Sequence, residues 1–281
     1  MLYGWSAWRG HLKNWERLVE EVSDSGFGYV ELSLDFPLPY KAEEVREAVK
    51  RLREKNLKVS IHAPWRGVDL ATPWESIRKG ALELMELTAS IAHSIEAEYV
   101  VLHMTTPEKL DQDVRDKVIE SAIKSAKRIV EISEEYSVPM YIENVGKLGH
   151  PDTFGKIMDE SGAEFCLDLA HAIVDFARRH KVELDRVDVD DVMNMWISSL
   201  KNNIKCVHVH GVVNEDGKIR SHQALGYPLT KRVVAKTIAQ ASPEYVTLEI
   251  YYNKGKEVGP RFVAREVEEI NSWLRVYRKS K

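Results

Sequence analysis

Short apolar runs rich in β-branched residues alternate with long amphipathic segments eight times along the chain, and this alternation limits the fold more than any other feature. The predicted strands cover residues 2–5, 28–34, 58–62, 98–103, 140–145, 164–168, 204–210 and 245–251. The segments with helical spacing of apolar residues include residues 42–55, 74–94, 114–136, 233–241 and 262–277. Repeated strand–helix pairs are typical of a parallel sheet covered by helices. The sequence therefore predicts an α/β protein built as a (β/α)8 barrel.

The length of the chain suits one barrel of this kind. Its 281 residues are close to the length of about 250 residues that is typical of a TIM barrel. No Pro-, Ser- or Gly-rich linker and no low-complexity tract divides the sequence. We therefore expect a single TIM-barrel domain over residues 1–281. Residues 170–203 have the pattern of two helices after one strand, which predicts an extra helix after strand six.

The composition predicts a soluble protein of the cytoplasm. The formal net charge of −4 gives no overall attraction for nucleic acid or for an anionic membrane. The first residues lack the pattern of a signal peptide, and no apolar run has the length of a membrane span. Cys166 and Cys206 lie in apolar strands, which favours buried free thiols. Abundant charged residues and few glutamines indicate a thermophilic source.

Six of the predicted strands finish with a residue that can ligate a metal ion. These residues are His62, His103, Glu143, Asp168, His208 and Glu249. The C-terminal strand ends of a (β/α)8 barrel open onto one face, so side chains from different strands converge there. Imidazole nitrogens and carboxylate oxygens are common ligands of zinc and manganese. A shared metal centre is therefore favoured over six separate structural groups.

The motifs around these residues resemble, in their order, the strand ends of the endonuclease IV and xylose isomerase-like superfamily of sugar phosphate isomerases and epimerases. The motifs are IHAP, VVLH, IENVG, CLDLAHA, VHVHG, SHQALG and TLEIY. The resemblance implies zinc as the cofactor, with manganese or another divalent ion as the alternative. It implies a first ion on His62, His103 and Glu143. It implies a second ion on Glu143, Asp168, His208 and Glu249.

The same resemblance extends to a third ion, which relatives hold with two histidines and an aspartate. His171 and His222 match the histidines and are included among the predicted metal ligands. Arg220 stands where the aspartate is expected, and a guanidinium cannot ligate a cation but can hold an anion through two hydrogen bonds. We therefore predict that Arg220 binds the substrate. The third ion stays open, with His210 or Asp216 as a substitute ligand.

Further substrate contacts are predicted around the mouth of the barrel. His210 follows His208 on the same face of its strand and one step nearer the mouth, so we place it among the substrate-binding residues. Trp65 and Arg66 are added because they lie in the loop after strand three, and Trp8 and Arg9 lie in the loop after strand one. Large rings beside cations suit a ring-bearing or phosphorylated ligand.

The leading hypothesis for the reaction is phosphoester hydrolysis by a two-metal centre. Glu143 bridges the two ions in this scheme, because one carboxylate can span the separation of about 3.5–4 Å that is typical of such pairs. His62 and His103 hold one side of the pair. Glu143, Glu249 and His171 form the predicted catalytic set.

The alternative hypothesis is a sugar or sugar-phosphate isomerase or epimerase with one divalent ion. Glutamates shuttle the proton in that reaction, and His171 contacts the substrate. The scheme leaves His62 and His103 without a role, so the sequence favours hydrolysis. The ion would be held by Glu143, Asp168, His208 and Glu249.

The expected substrate is small and either phosphorylated or sugar-like. DNA is left open but not favoured, because HMTT, DLAH and HVHG depart from the corresponding motifs of endonuclease IV. No cluster of Lys and Arg on these loops forms a phosphate-tracking surface. No membrane partner is expected, and the sequence does not predict an oligomeric state.

Overall fold

A closed barrel of eight parallel strands lies at the centre of the computed structural model, which describes residues 1–8, 15–36 and 42–279. With strands numbered along the chain, the barrel consists of β1 (Leu2–Ala7), β2 (Tyr29–Ser33), β3 (Lys58–His62), β4 (Val100–His103), β5 (Met140–Glu143), β6 (Glu164–Asp168), β7 (Ile204–Val209) and β10 (Tyr245–Leu248). Each barrel strand pairs with the next one along the chain, and β10 closes the barrel against β1. The predicted (β/α)8 TIM barrel is thereby confirmed.

Helices cover the outer face of the barrel. They are α1 (Trp15–Asp24), α2 (Ala42–Glu54), α3 (Glu75–Ser94), α4 (Gln112–Tyr136), α5 (Pro151–Ser161), α6 (Leu169–His180), α7 (Val189–Leu200), α8 (Lys231–Ala241) and α9 (Pro260–Lys279). Their apolar faces and the outward side chains of the strands, such as Val30 and Ile142, form one buried cluster. Both α6 and α7 lie between β6 and β7, which confirms the predicted extra helix. Among the described helices, none has the length and apolar character that a bilayer crossing requires.

A second, smaller sheet extends the loops that follow β7 and β10, and the sequence did not predict it. The hairpin of β8 (Gly211–Glu215) and β9 (Lys218–Gln223) is joined by β11 (Tyr252–Asn253) and β12 (Lys256–Glu257). Gly211 is required at the start of the hairpin, because a Cβ there would collide with the backbone oxygen of Ala224. Since both loops follow C-terminal strand ends, this sheet forms one side of the barrel mouth.

The inward side chains of the barrel form two layers. The lower layer is mainly aromatic and thiol, and its buried members are Tyr29, Tyr99, Val101, Tyr141, Cys166 and Cys206. Side chains alternate between the faces of a strand, so the residue two positions further along also points inward. On β2, β5, β6 and β7 this second step gives an upper layer of Glu31, Glu143, Asp168 and His208. The lower layer therefore forms an apolar floor under a polar layer, and both cysteines are free and buried.

Candidate metal centre

Two histidines and one glutamate form the first group of the candidate centre. Nε2 of His62 lies 3.6 Å from Oε2 of Glu143, and Nε2 of His103 lies 3.3 Å from the same oxygen. Nδ1 of His62 is 2.9 Å from the backbone oxygen of Ala63, which keeps its Nε2 directed inward. The three ligand atoms lie within 4.8 Å of one another. This group can hold one cation.

The second group contains four of the other predicted ligands together with His210, which was predicted to bind the substrate. Its members are Asp168, His171, His210, His222 and Glu249. Nε2 of His210 lies 3.2 Å from Oδ2 of Asp168. Nδ1 of His222 lies 3.7 Å from Oε2 of Glu249. The ring centroids of His210 and His222 are 4.3 Å apart, so the ligand atoms of this group form a compact set.

Two residues connect the first group to the second. Oε2 of Glu143 faces the first group, whereas its Oε1 lies 3.9 Å from Nε2 of His171 in the second. Nδ1 of His208 lies 3.5 Å from Oε2 of Glu143 and 3.8 Å from Oε1 of Glu249. Glu143 therefore offers one oxygen to each group, which is the arrangement that a bridging carboxylate requires.

Local structure at the end of β6 determines where Asp168 and His171 point. Oδ1 of Asp168 accepts a hydrogen bond of 2.6 Å from the backbone N–H of His171 and so caps α6. The side chain of Asn144 bonds the backbone N–H and the backbone oxygen of Asp168, at 2.7 and 2.9 Å. These contacts leave Oδ2 of Asp168 directed into the centre and place His171 on the first turn of α6.

His222 has a left-handed backbone conformation, with φ at 57°. This region is uncommon for residues other than glycine and persists where the surrounding structure enforces it. The backbone nitrogen of His222 lies 3.1 Å from Nδ1 of His210. Its own Nδ1 lies 3.1 Å from the backbone oxygen of Glu249. The strained conformation thus holds the His222 ring against His210 and Glu249.

The chemistry of the buried atoms fits a divalent cation. Among the described residues, four buried ligand atoms have no hydrogen-bond partner, namely Oε2 of Glu143, Oδ2 of Asp168, Nδ1 of His208 and Nε2 of His210. A buried polar atom without a partner costs about 1–3 kcal/mol. Three of these atoms belong to the two groups and the fourth belongs to His208, which connects them, so divalent cations bound here would satisfy all four. Carboxylate oxygens and imidazole nitrogens suit zinc or manganese.

Ionisation within the centre follows from close pairs of opposite charge. Burial raises the pKa of Glu143, but the imidazoles of His103 and His208 outweigh burial and hold that pKa well below its usual range. Burial lowers the pKa of His62, but the neighbouring Glu143 carboxylate raises it to about 9. Burial also lowers the pKa of His210, but the Asp168 charge raises it to about 9.

At three other ligands burial outweighs the charges of their neighbours. Burial raises the pKa of Glu249 above its usual value. Burial, followed by the charge of His210, lowers the pKa of His222 to about 3. Burial likewise lowers the pKa of His103. His222 therefore presents a neutral imidazole, the form that ligates a metal ion.

The structure corrects the predicted place of His210. The sequence puts His210 nearer the mouth than His208, as a contact for substrate. The structure instead buries His210 completely, because the chain enters the β8–β9 hairpin directly after it and the hairpin packs His222 against its ring. His210 thus lies among the candidate ligands and not on the rim.

Arg220 and Asp216 lie away from the two groups, on the β8–β9 hairpin. Nε of Arg220 is 2.7 Å from Oε2 of Glu215, and the Arg220 side chain is 58% exposed. The sequence predicted that the Arg220 guanidinium binds an anion of the substrate. In the structure this guanidinium is paired with Glu215 instead. Asp216 occupies the exposed turn of the hairpin, so it does not replace the aspartate of the third ion.

Trp65 and Arg66 form part of the rim beside the first group. The Trp65 side chain is 41% exposed, and its ring centroid lies 5.9 Å from that of His103. The Arg66 guanidinium covers the Trp65 ring at 4.2 Å and pairs with the buried carboxylate of Asp35. Trp65 therefore presents an open aromatic surface next to a candidate ligand.

A stack of rings leads from the rim to the second group. The Trp8 ring stacks on Tyr251 with centroids 5.8 Å apart. Tyr251 stacks in turn on His222 at 5.0 Å. Arg9, which the sequence also places at the mouth, lies outside the described residues.

Glu31 is the one member of the upper layer that the sequence analysis did not assign to the site. It is fully buried, and its Oε2 lies 3.2 Å from Nε2 of His208. A signal for it exists in the sequence: Tyr29 and Glu31 in β2 repeat the Tyr-x-Glu step of Tyr141 and Glu143 in β5. In both strands the tyrosine belongs to the floor and the glutamate to the polar layer above it.

Comparisons with known proteins agree with this fold. A family model described as a xylose isomerase-like TIM barrel matches residues 19–275. A protein named "Probable endonuclease 4" from Mycobacterium bovis is 27% identical over 178 residues, which are 58% of this chain and 68% of that protein.

Two solved structures are similar over nearly the whole chain. A D-tagatose 3-epimerase-like protein has a TM-score of 0.73 at 18% identity, with 100% of this chain and 99% of that chain covered. Endonuclease IV from Thermus thermophilus has a TM-score of 0.65 at 18% identity, with 98% and 99% covered. At these identities the two structures support the fold alone.

Proposed function

The chain belongs to the xylose isomerase-like TIM-barrel family, and we propose that it is a metal-dependent hydrolase that cleaves phosphoester bonds with a two-metal centre. One observation carries this proposal. Glu143 directs one oxygen to the histidine pair of the first group and the other to His171 in the second group. A one-ion isomerase has no use for His62 and His103, whereas a two-metal hydrolase requires ligands on both sides of a bridging carboxylate.

Zinc is the proposed cofactor, and manganese or another divalent ion is the alternative. The first ion would be held by His62, His103 and Glu143. The second would be held by Glu143, Asp168, His208 and Glu249. His171, His210 and His222 offer nitrogen ligands for a third ion, with the buried His210 in place of the aspartate that relatives use.

The residues of the chain divide the remaining tasks. Divalent ions bound here supply Lewis-acid stabilisation to the phosphoryl and leaving-group oxygens. The Glu143 carboxylate keeps the two ligand groups at a fixed separation. The His171 side chain is 26% exposed, so it reaches from the second group towards the mouth. The floor beneath the polar layer excludes water from below.

A small phosphorylated or sugar-like substrate fits the mouth better than DNA does. In the described part of the loops, three cationic side chains already have partners. Arg66 pairs with Asp35, Arg220 pairs with Glu215, and Lys147 donates to two backbone oxygens. Side chains that are already paired bind a DNA backbone poorly, because that backbone is bound chiefly through free Lys and Arg. The open face of Trp65 suits a ring. A cytoplasmic location is part of this proposal.

Replacing His103 with Ala tests the two-metal assignment. We expect the zinc content to fall from about two ions per chain to about one, because the first group keeps only His62 and one Glu143 oxygen. Hydrolysis of bis(p-nitrophenyl) phosphate should fall at least about 100-fold, since one Lewis acid is lost. Zinc content is measured by mass spectrometry of the purified variant. The exposed His93 on α3 provides the matched control, His93→Ala, which should keep both properties.

Isomerisation or epimerisation of a sugar is the second candidate, and the two glutamates favour it. The pKa of Glu143 is lowered and the pKa of Glu249 is raised, and carboxyl groups separated in this way suit an acid–base pair. The same His103→Ala variant separates the candidates. One outcome would favour isomerisation over hydrolysis. The protein would bind one ion both before and after the substitution, and deuterium from heavy water would enter a ketose at an unchanged rate.

A further inference from the structure

Glu31 lies beneath the candidate metal centre and cannot reach a substrate. It is buried on β2, and its Oε2 accepts hydrogen bonds from the Tyr99 hydroxyl at 2.8 Å and the Thr247 hydroxyl at 3.2 Å. The same oxygen lies 3.2 Å from Nε2 of His208. Several donors around one oxygen stabilise the carboxylate form of a buried acid. Glu31 is therefore a fixed negative charge below His208.

The imidazole of His208 is oriented differently from that of His62. His62 bonds a backbone oxygen through Nδ1 and presents Nε2 to the centre. His208 presents Nδ1 to the centre, and its Nε2 faces the side chain of Glu31. A neutral imidazole carries its proton on one nitrogen only, and the partner of that nitrogen selects the tautomer.

We propose that Glu31 is a positioning residue that holds His208 with its proton on Nε2, so that the lone pair of Nδ1 points at the second ion. Carboxylates behind ligating histidines commonly raise the basicity of the ring and fix its orientation. The inference rests on the two-ion centre of the proposed function.

The charge of the site supports the same role. The polar layer contains four buried carboxylates, Glu31, Glu143, Asp168 and Glu249. Two divalent ions would carry four positive charges, which matches the number of these carboxylates. A buried site with an uncompensated charge is strongly destabilised. Glu31 thus supplies the fourth negative charge without occupying a coordination position.

Three variants separate positioning from packing. Glu31→Leu removes both the acceptor and the charge, Glu31→Gln keeps an acceptor oxygen but removes the charge, and Tyr99→Phe removes a different hydrogen bond to the same Oε2 as a matched control. The affinity of the second zinc ion is measured by titration of the chelator-treated protein. We expect losses of about 100-fold for Glu31→Leu and about 10-fold for Glu31→Gln. Tyr99→Phe should change the affinity by less than about 3-fold.

The nitrogen spectrum of the histidines adds a readout that packing alone would not change. In zinc-loaded protein labelled with ¹⁵N, His208 should show a protonated Nε2 and a metal-bound Nδ1, and Glu31→Leu should lose this pattern. Wild-type zinc affinity in Glu31→Leu, or in Glu31→Gln if the Leu variant does not fold, overturns the inference. Equal losses in Tyr99→Phe and the Glu31 variants overturn it as well. If the unsubstituted protein binds no zinc, the metal centre of the proposed function is overturned along with it.

Discussion

Glu143→Gln is expected to lower kcat/KM for phosphoester hydrolysis by about 1,000-fold or more. The carboxylate serves both ligand groups, because Oε2 faces His62 and His103 while Oε1 faces His171. An amide keeps the shape but offers one neutral oxygen, so both ions lose a charged ligand. Each 1.4 kcal/mol of lost transition-state stabilisation lowers the rate about tenfold. A loss of several kcal/mol therefore gives the expected effect.

The substitution is assayed together with metal content and with a matched control. Glu164 begins the neighbouring strand β6 and lies at the opposite end of the barrel, where it pairs with Lys205. Glu164→Gln should therefore keep wild-type zinc content and turnover. In Glu143→Gln we expect less than about one zinc ion per chain, because neither group keeps its shared carboxylate. Full zinc occupancy with unchanged turnover in Glu143→Gln would contradict the assignment of the whole centre.

The barrel and most of the centre can be predicted from the sequence because both follow from alternation along strands. Each parallel strand is short and ends at the same face, so a polar residue at the end of an apolar run can point only into the mouth. Six strand ends gave six residues that the structure brings together. The order of the motifs then identified the family, which the family model confirms.

The parts that escaped prediction depend on contacts between distant strands. Glu31 faces His208 across the barrel interior, and no spacing within β2 reveals that partner. The ion pair of Arg220 with Glu215 depends on the register of the β8–β9 hairpin, in which Arg220 lies opposite Val213. His210 is buried by the same hairpin. Sequence patterns describe one element at a time, so they predict which residues line the mouth better than which residues face one another.

The hydrolase and isomerase hypotheses share most of their metal ligands. Glu143, Asp168, His208 and Glu249 serve either hypothesis, and only His62 and His103 distinguish them. The structures that are most informative about the fold include an epimerase-like protein and an endonuclease IV, both at 18% identity. Side-chain geometry around Glu143 is therefore the observation that favours hydrolysis.

Zinc binding to the chelator-treated protein should strengthen steeply as the pH rises. Glu143 raises the pKa of His62 to about 9, and Asp168 raises the pKa of His210 to about 9, although burial opposes both shifts. Burial also lowers the pKa of His208, but the carboxylates of Glu31, Glu249 and Glu143 hold it well above its usual value. Three imidazoles thus carry a proton at neutral pH in the absence of zinc.

These protons must leave when zinc binds. His62 and His208 lose a proton because they become ligands, and His210 loses one because it ligates an ion itself or because its partner Asp168 does. Each displaced proton changes an apparent metal affinity about tenfold per pH unit. The product of the two zinc association constants should therefore rise about 1,000-fold per pH unit from about pH 7 towards about pH 9. It should level off above the pKa of about 9 that His62 and His210 reach.

The stability of the fold should respond to pH with the opposite sign when zinc is absent. A histidine whose pKa is raised from 6.5 to about 9 in the folded protein stabilises the fold fully below about pH 6.5, and this contribution is lost as the pH rises through about 9. The rise in Tm on adding zinc should therefore be larger at about pH 9 than at about pH 7. Calorimetric titration in buffers of different ionisation enthalpy counts the protons released, and about three per two ions are expected at neutral pH. His210→Gln should release one proton fewer than the wild type, whereas the control His93→Gln should release as many. A zinc affinity that does not change between about pH 7 and about pH 9 would contradict the protonation of His62, His208 and His210.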